Sequence, residues 1–195
     1  NYSQQIVYTS INKSGQAFMT DGSPTQRWTV EMNPERKVSM GGGTLTDSVK
    51  ASNDQVTLTY SGDGVEVRVY NGEKRISTRQ VPWSELQVTG NGTNNPHFTY
   101  KVPESDSEAY RYVLIYTTVA DVSAVPTQDV NVTNDVEYPY GKTSANIPIG
   151  SDDKSGITKS VQNYDGITAT WDSVVHIPEH TAATATVTDT LPFEI

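Results

Sequence analysis

The stretch Gly64–Tyr70, GVEVRVY, places a valine at every second position and charged or polar residues between them. A period of two residues is that of a β-strand, whose alternate side chains point to opposite faces of a sheet. The three valines are therefore predicted to face a core. Asn71-Gly72 follows directly and is a strong turn signal, which predicts that the strand ends there.

Similar alternation recurs along the chain and defines further inward faces. These sets are Val7, Thr9, Ile11 and Lys13; Trp28, Val30 and Met32; Leu45, Asp47 and Val49; and Val130, Val132, Asn134 and Val136. Residues 110–117 are apolar on both faces, which predicts a central strand. Eight or more short strands, frequent turn residues and no helical periodicity predict an all-β protein with an immunoglobulin-like β-sandwich.

Composition narrows the possible functions. The 195 residues contain no cysteine, which excludes disulfides and thiolate chemistry, and their net charge of −9 disfavours nucleic acid and anionic membranes as partners. No signal peptide or membrane-spanning run is present, and the first residue, Asn1, predicts a trimmed N-terminus. No cofactor or metal site is expected, apart from weak Ca²⁺ binding by the acidic loop at 61–64.

A segment near the end of the chain, 156–192, repeats landmarks from its beginning. Lys159 follows Lys13 at an offset of 146 residues (159 − 13), and Trp171 follows Trp28 at 143 (171 − 28). The motif TLTDS with Asp47 returns as TVTDT with Asp189, at an offset of 142 (189 − 47). An ordered set of recurring landmarks indicates an internal repeat.

The repeat predicts the domain organisation. Residues 1–150 form one sandwich, 151–156 a polar linker, and 157–195 the first strands of a second, incomplete repeat. Three strands cannot bury a core by themselves, so we expect a second chain or a swapped copy to complete residues 157–195. Neighbouring repeats of a parent rod are the other expected partners.

Three polar residues on inward faces predict a reaction. Burial of a charge is costly, so a buried Lys13 and a buried Asp47 either form a salt bridge or are both driven towards their neutral forms. A neutral amine is a nucleophile, and a protonated carboxyl can polarise the side-chain carbonyl of Asn134. Attack by Lys13 on Asn134 would expel ammonia and leave a Lys–Asn isopeptide bond, with Asp47 assisting.

Simpler interpretations exist for each residue. Lys13 can be a surface lysine at a strand end, and Asp47 can accept backbone hydrogen bonds in a turn. Asn131 is a rival acceptor, although alternation places it on the face opposite Val130 and Val132.

The motifs SINKSG, RWTVEM, TLTDSV, YVLIYTT and NVTNDVEY together resemble the immunoglobulin-like repeats of Gram-positive surface adhesins and pili, of the collagen-binding-adhesin (Cna A-like) group. The resemblance spans roughly residues 5 to 150 and again 156 to 195. It implies an autocatalytic bond between Lys13 and Asn134 assisted by Asp47. In the second copy it implies equivalent roles for Lys159 and Asp189, whose asparagine partner is absent from the chain.

The resemblance implies an extracellular module of a cell-wall-anchored bacterial protein, which catalyses only its own single-turnover crosslink and is otherwise no enzyme. The alternative is a module without a crosslink that binds a host matrix protein or a glycan through its loops or a cleft. An accessory domain of a secreted polysaccharide-degrading enzyme is a further possibility.

Overall fold

A computed structural model describes residues 9–125, 128–150, 156–164 and 169–176, together with 186 and 188. The described residues form twelve strands and one short 3-10 turn at Trp83–Glu85. The strands are β1 (Ile11–Thr20), β2 (Ser23–Met32), β3 (Thr44–Ala51), β4 (Thr57–Asn71), β5 (Lys74–Pro82), β6 (Gln87–Thr89), β7 (His97–Lys101), β8 (Arg111–Asp121), β9 (Val130–Tyr138), β10 (Gly141–Ile149), β11 (Gly156–Tyr164) and β12 (Ala169–His176). None of the described residues lies in a helix with the length and apolarity needed to cross a membrane.

The first ten strands form two five-stranded antiparallel sheets. The first sheet has the order β1-β2-β8-β4-β5 and the second the order β10-β9-β3-β7-β6. Their inward faces share one apolar core. This is an immunoglobulin-like β-sandwich, so the predicted fold class is confirmed.

The members of the predicted inward faces that the structure describes are buried as expected, whereas Val7 lies outside the described residues. Trp28, Val30 and Met32 have no exposed surface, and neither do Val65, Val67 and Val69. The polar members of the other sets, Asp47 and Asn134, are fully buried beside their apolar neighbours. Alternation in the sequence therefore identifies the core side of each of these strands correctly.

The predicted central strand corresponds to β8, which lies between β2 and β4 in the middle of the first sheet. Only one of its faces is fully buried, and this face carries Tyr112, Leu114 and Tyr116. The prediction of a central position is confirmed. The strand nevertheless has an inner and an outer face, because its outer side chains are only half buried.

A bulge in β4 lies opposite Tyr116. Ser61 pairs with Thr117 of β8, but the next paired residue is Glu66, opposite Ile115. The four residues between them therefore have no regular partner on β8. Bulges bend a strand and re-aim the side chains near it, and they often occur at functional sites.

The sandwich is closed along one side by edge strands from opposite sheets. β1 of the first sheet packs against β10 of the second. Gly15 permits the close approach, since a Cβ atom there would lie 2.5 Å from the Ile147 side chain and 2.7 Å from Trp28. The arrangement brings the β1 backbone, and with it Lys13, to the seam between the sheets.

The β11–β12 hairpin has the same register as the β1–β2 hairpin from the lysine to the tryptophan position, but its register shifts between Val161 and Asn163. Lys13 pairs with Val30 and Gly15 with Trp28 in the first, and Lys159 pairs with Ser173 and Val161 with Trp171 in the second. Trp28 is buried, whereas the Trp171 side chain is 41% exposed. The division into a complete and an incomplete repeat, with its boundaries at 150 and 157, stays a prediction.

We expect Gly64→Ala to lower the free energy of unfolding by about 3 kcal/mol, because it combines backbone strain with a steric clash. Gly64 has φ +138°, and a Cβ atom there would lie 2.0 Å from the Val81 carbonyl oxygen. Gly92→Ala is the control, since Gly92 has φ +80° but no atom within 4 Å of its Cβ position. Urea denaturation of both variants measures the difference, and equal losses would show that the β4–β5 contact does not constrain the bulge.

Candidate functional site

Lys13 carries its amine into the interior between the two sheets. It lies on β1, on the same face as the buried Ile11, and its side chain has no exposed surface. The Nζ atom lies 2.7 Å from Asp47 Oδ2 and 2.9 Å from the Tyr116 hydroxyl oxygen. The expected inward placement of Lys13 is therefore observed, and the surface interpretation does not hold.

Asp47 enters the same space from the opposite sheet. It lies on β3, where its neighbours across the strands are Val136 of β9 and Phe98 of β7. Its Oδ1 atom accepts a hydrogen bond of 3.0 Å from the Tyr60 hydroxyl, while Oδ2 accepts from Lys13 and from Tyr116. Asp47 thus receives three side-chain donors from the first sheet and does not serve as a turn acceptor.

Asn134 lies beside Asp47 on the second sheet. It belongs to β9 and pairs with Val49 of β3, which makes it a diagonal neighbour of Asp47 on the same face. Its Nδ2 atom donates to the Tyr116 hydroxyl at 3.2 Å. Its Oδ1 atom is buried and has no hydrogen-bond partner. Unpaired buried acceptors are uncommon and point to a strained or reactive site.

Tyr116 connects the three predicted residues. Its hydroxyl contacts the Lys13 amine and the Asn134 amide nitrogen, and it donates to the Asp47 carboxylate. The sequence predicts a direct contact between Asp47 and the Asn134 carbonyl oxygen. The structure instead places the Tyr116 hydroxyl between Asp47 and the amide, because this tyrosine projects from the facing sheet into the gap.

Burial dominates the electrostatics of the pair. Removal from water lowers the pKa of the Lys13 amine and raises the pKa of the Asp47 carboxyl, each against the opposing influence of the other charge. Both shifts favour the neutral forms. Burial, together with the neighbouring Asp47 charge, also raises the pKa of Tyr116 well above its ordinary value, so that its hydroxyl keeps its proton.

Aromatic rings surround the polar cluster of Lys13, Asp47 and Asn134. The Phe98 ring meets Tyr60 and Tyr116 edge-on, each at a centroid distance of 5.2 Å. The Lys13 Nζ atom lies 5.7 Å from the centroid of Trp28 and 5.5 Å from that of Tyr116. The rings exclude water, and those of Trp28 and Tyr116 also present their faces to the Lys13 amine.

Sequence reasoning missed Tyr116 and Tyr60. A signal for Tyr116 was present, since alternation along YVLIYTT puts it on one face with Tyr112 and Leu114. A tyrosine on a buried face needs a partner for its hydroxyl. Alternation does not show, however, which residue of the other sheet provides that partner.

The rival acceptor, Asn131, lies on the outer face of β9. It is exposed, and its Oδ1 atom accepts a hydrogen bond of 3.4 Å from Asn146. Its position agrees with the predicted face and leaves Asn134 as the amide in contact with the cluster.

The second-copy residues remain predictions. Lys159 lies in β11 at the position equivalent to Lys13. Asp189 lies outside the described residues, so its proposed pairing with Lys159 has no geometry to report. Among the described residues there is no group of three or more His, Asp and Glu side chains that could hold a metal ion. The weak Ca²⁺ site at 61–64 likewise stays a prediction.

Comparison with known proteins gives structural matches only. No family model matches the chain. No curated protein matches it. The collagen-binding subdomain of the Enterococcus faecalis surface protein ACE matches with 9% identity and a TM-score of 0.41, covering 76% of this chain and 97% of that one.

Two further solved structures are similar to the same degree. The collagen-binding domain of a Staphylococcus aureus adhesin shows 14% identity and a TM-score of 0.40, covering 76% of this chain and 99% of that one. The full-length major pilin SpaD from Corynebacterium diphtheriae shows 10% identity and a TM-score of 0.44, covering 83% of this chain and 40% of that one. At these values the matches assign no function to this chain.

We expect Lys13→Met to be less stable at pH 7 than Lys13→Met/Asp47→Asn, by on the order of 3 kcal/mol, because the single variant leaves a buried carboxylate without its cation. Neither variant can form the crosslink, so the comparison isolates the effect of the buried Asp47 charge on stability. Urea denaturation across a pH series measures the difference.

The difference in stability between the two variants should change with pH in a defined direction. Burial holds the folded-state pKa of Asp47 above its unfolded value. The favourable contribution of the protonated form is therefore complete below the unfolded pKa of about 4 and is lost as the pH rises through the folded pKa. The gap between the two variants should close on acidification, and a gap that is independent of pH would contradict the assignment.

Proposed function

We propose that this chain is a structural and adhesive module of an extracellular bacterial surface protein, held together by an isopeptide bond between Lys13 and Asn134. The observation that carries the proposal is the fully buried cluster of Lys13, Asp47 and Asn134 between the two sheets. The motif resemblance to Gram-positive adhesin and pilus repeats supports the same function. Neighbouring repeats of the parent protein are the proposed partners.

The chemistry follows from the charge state that burial favours. Lys13 passes a proton to Asp47 across their contact of 2.7 Å, and both groups become neutral. The Lys13 Nζ lone pair attacks Asn134 Cγ, a new C–N bond forms, and the bond from Cγ to Nδ2 breaks. Ammonia leaves, and Asp47 keeps the proton it received.

The carbonyl oxygen of Asn134 supports the attack of Lys13 on Asn134 Cγ. It is buried and has no hydrogen-bond partner in the unreacted side chain. It is therefore free to accept a hydrogen bond as negative charge develops on it. Stabilisation of developing charge in a site without water is commonly the largest contribution to catalysis.

The reaction removes the cost of the buried charges. Before it, an ammonium and a carboxylate share a space without water, and each opposes burial. After it, the lysine is a neutral amide and the aspartic acid is protonated. The product stays in the chain, which makes the reaction a single turnover.

The position of the bond suits a module under tension. It joins β1 of the first sheet to β9 of the second, and its ends lie 121 positions apart along the chain (134 − 13). A crosslink closing a loop of about 100 residues contributes on the order of 4.7 kcal/mol by the chain-entropy argument. Force applied at the two ends of the sandwich would pass through the bond and bypass the residues between 13 and 134.

We expect the wild-type chain, folded and then denatured, to have an intact mass lower than its sequence mass by one ammonia. Asn134→Ala and Asp47→Ala should keep the full sequence mass. Asn131→Ala is the matched control on the outer face of the same strand and should lose ammonia like the wild type. Tryptic digestion should yield one branched peptide joining Lys13 to Asn134. A wild-type chain of unmodified mass would overturn the proposed function.

Single-molecule stretching tests the mechanical consequence. In Asn134→Ala the 120 residues between positions 13 and 134 should be released on unfolding, which at about 3.5 Å per residue adds roughly 400 Å of chain. The wild-type module should lack this extension step at every force below covalent rupture. An identical step in both proteins would show that the crosslink does not carry the load.

A further inference from the structure

The Tyr116 hydroxyl contacts all three residues of the proposed reaction. It lies 2.9 Å from the nucleophile, Lys13 Nζ, and 3.2 Å from the nitrogen that leaves, Asn134 Nδ2. It also donates to Asp47 Oδ2. A hydrogen-bonding group within reach of both the attacking and the leaving atom can move a proton between them.

We infer that Tyr116 is a catalytic residue of the crosslinking reaction, and that its hydroxyl carries a proton from the attacking Lys13 nitrogen to the departing Asn134 nitrogen. The inference rests on the proposed crosslink and adds the residue that the leaving group requires. An amide nitrogen departs poorly as an anion, so it must gain a proton as its bond to Cγ breaks.

The protons balance with Tyr116 in this role. The first proton of the Lys13 ammonium goes to Asp47, which leaves a neutral amine. After the amine attacks Asn134 Cγ, its nitrogen carries one proton too many for the product amide. The Tyr116 oxygen accepts that proton while its own proton passes to Asn134 Nδ2. Ammonia leaves, and Tyr116 ends as the neutral phenol from which it began.

The environment of the hydroxyl suits a relay and disfavours a stable phenolate. Burial and the Asp47 charge raise the pKa of Tyr116 well above its ordinary value. Acceptance and donation must therefore occur together. Only 2% of Tyr116 is exposed, so bulk water cannot readily take over the transfer.

The fold holds the ring in place. Tyr116 pairs with Trp28 on one side, whereas on the other side it faces the bulge between Ser61 and Glu66. The Phe98 ring from the second sheet meets it edge-on at 5.2 Å. These contacts fix the ring through packing, so removal of the hydroxyl alone leaves the surrounding shape intact.

The test follows the loss of ammonia over time in Tyr116→Phe by intact mass. We expect crosslinking to be slowed by about 100-fold or more, the usual contribution of a positioned acid–base group. Tyr112→Phe is the matched control, because Tyr112 lies on the same strand and face and donates to a different buried carboxylate, Asp106, at 3.1 Å. Tyr112→Phe should crosslink at the wild-type rate.

Tyr60→Phe separates the relay from simple stabilisation of Asp47. Tyr60 also donates to Asp47, but to Oδ1. Its removal should slow the reaction far less than Tyr116→Phe, and equal slowing by both variants would overturn the relay. Crosslinking of Tyr116→Phe at the wild-type rate would overturn it as well.

Site-specific 3-fluorotyrosine at position 116 tests the acidity of the hydroxyl separately from its contribution to folding. It retains the hydroxyl but makes it more acidic, so crosslinking should go to completion at a rate that differs from the wild-type rate. An unchanged rate would mean that the hydroxyl has only a structural role. Absence of ammonia loss in the wild type would instead overturn the proposed function, and the relay with it.

Discussion

A lysine amine and an aspartate carboxyl held between two β-sheets without water are the constraint on which this structure depends. Neither side chain has any exposed surface, and the two atoms that meet are 2.7 Å apart. In water such a pair would be an ordinary ion pair. Between the sheets, loss of hydration opposes both charges, and transfer of one proton relieves that cost while creating a nucleophile.

The rest of the sandwich is arranged around this pair. Gly15 lets β1 approach β10 closely, and the bulge in β4 lies opposite Tyr116. The rings of Trp28 and Phe98 flank the polar atoms from the two sheets. A polar cluster in a core is normally costly, and the proposed reaction would remove its charges.

The fold was largely predictable from a single feature, the alternation of side chains along strands. The period of two placed Val65, Val67 and Val69 inside, and it did the same for the polar residues Asp47 and Asn134. It works for these strands because each has one face packed on the core. The edge strand β10 gives a weak signal, since only its last buried positions, Ile147 and Ile149, are apolar and enclosed.

The candidate site was predictable in its three principal residues but not in its geometry. Alternation tells which face a side chain takes, whereas contacts across a sandwich depend on how the two sheets are packed against each other. The proposed role of Tyr116 depends on that packing, and its position lies opposite the interruption of the β4–β8 ladder between Ser61 and Glu66. No local pattern in the strand containing Tyr116 encodes either feature.

The most direct measurement of the central claim is the electron density of the cluster in a crystal structure at atomic resolution. We predict continuous density at covalent distance between Lys13 Nζ and Asn134 Cγ, with no density for the original Asn134 Nδ2. A separate lysine amine bonded to Asp47, beside an intact Asn134 amide, would contradict the account.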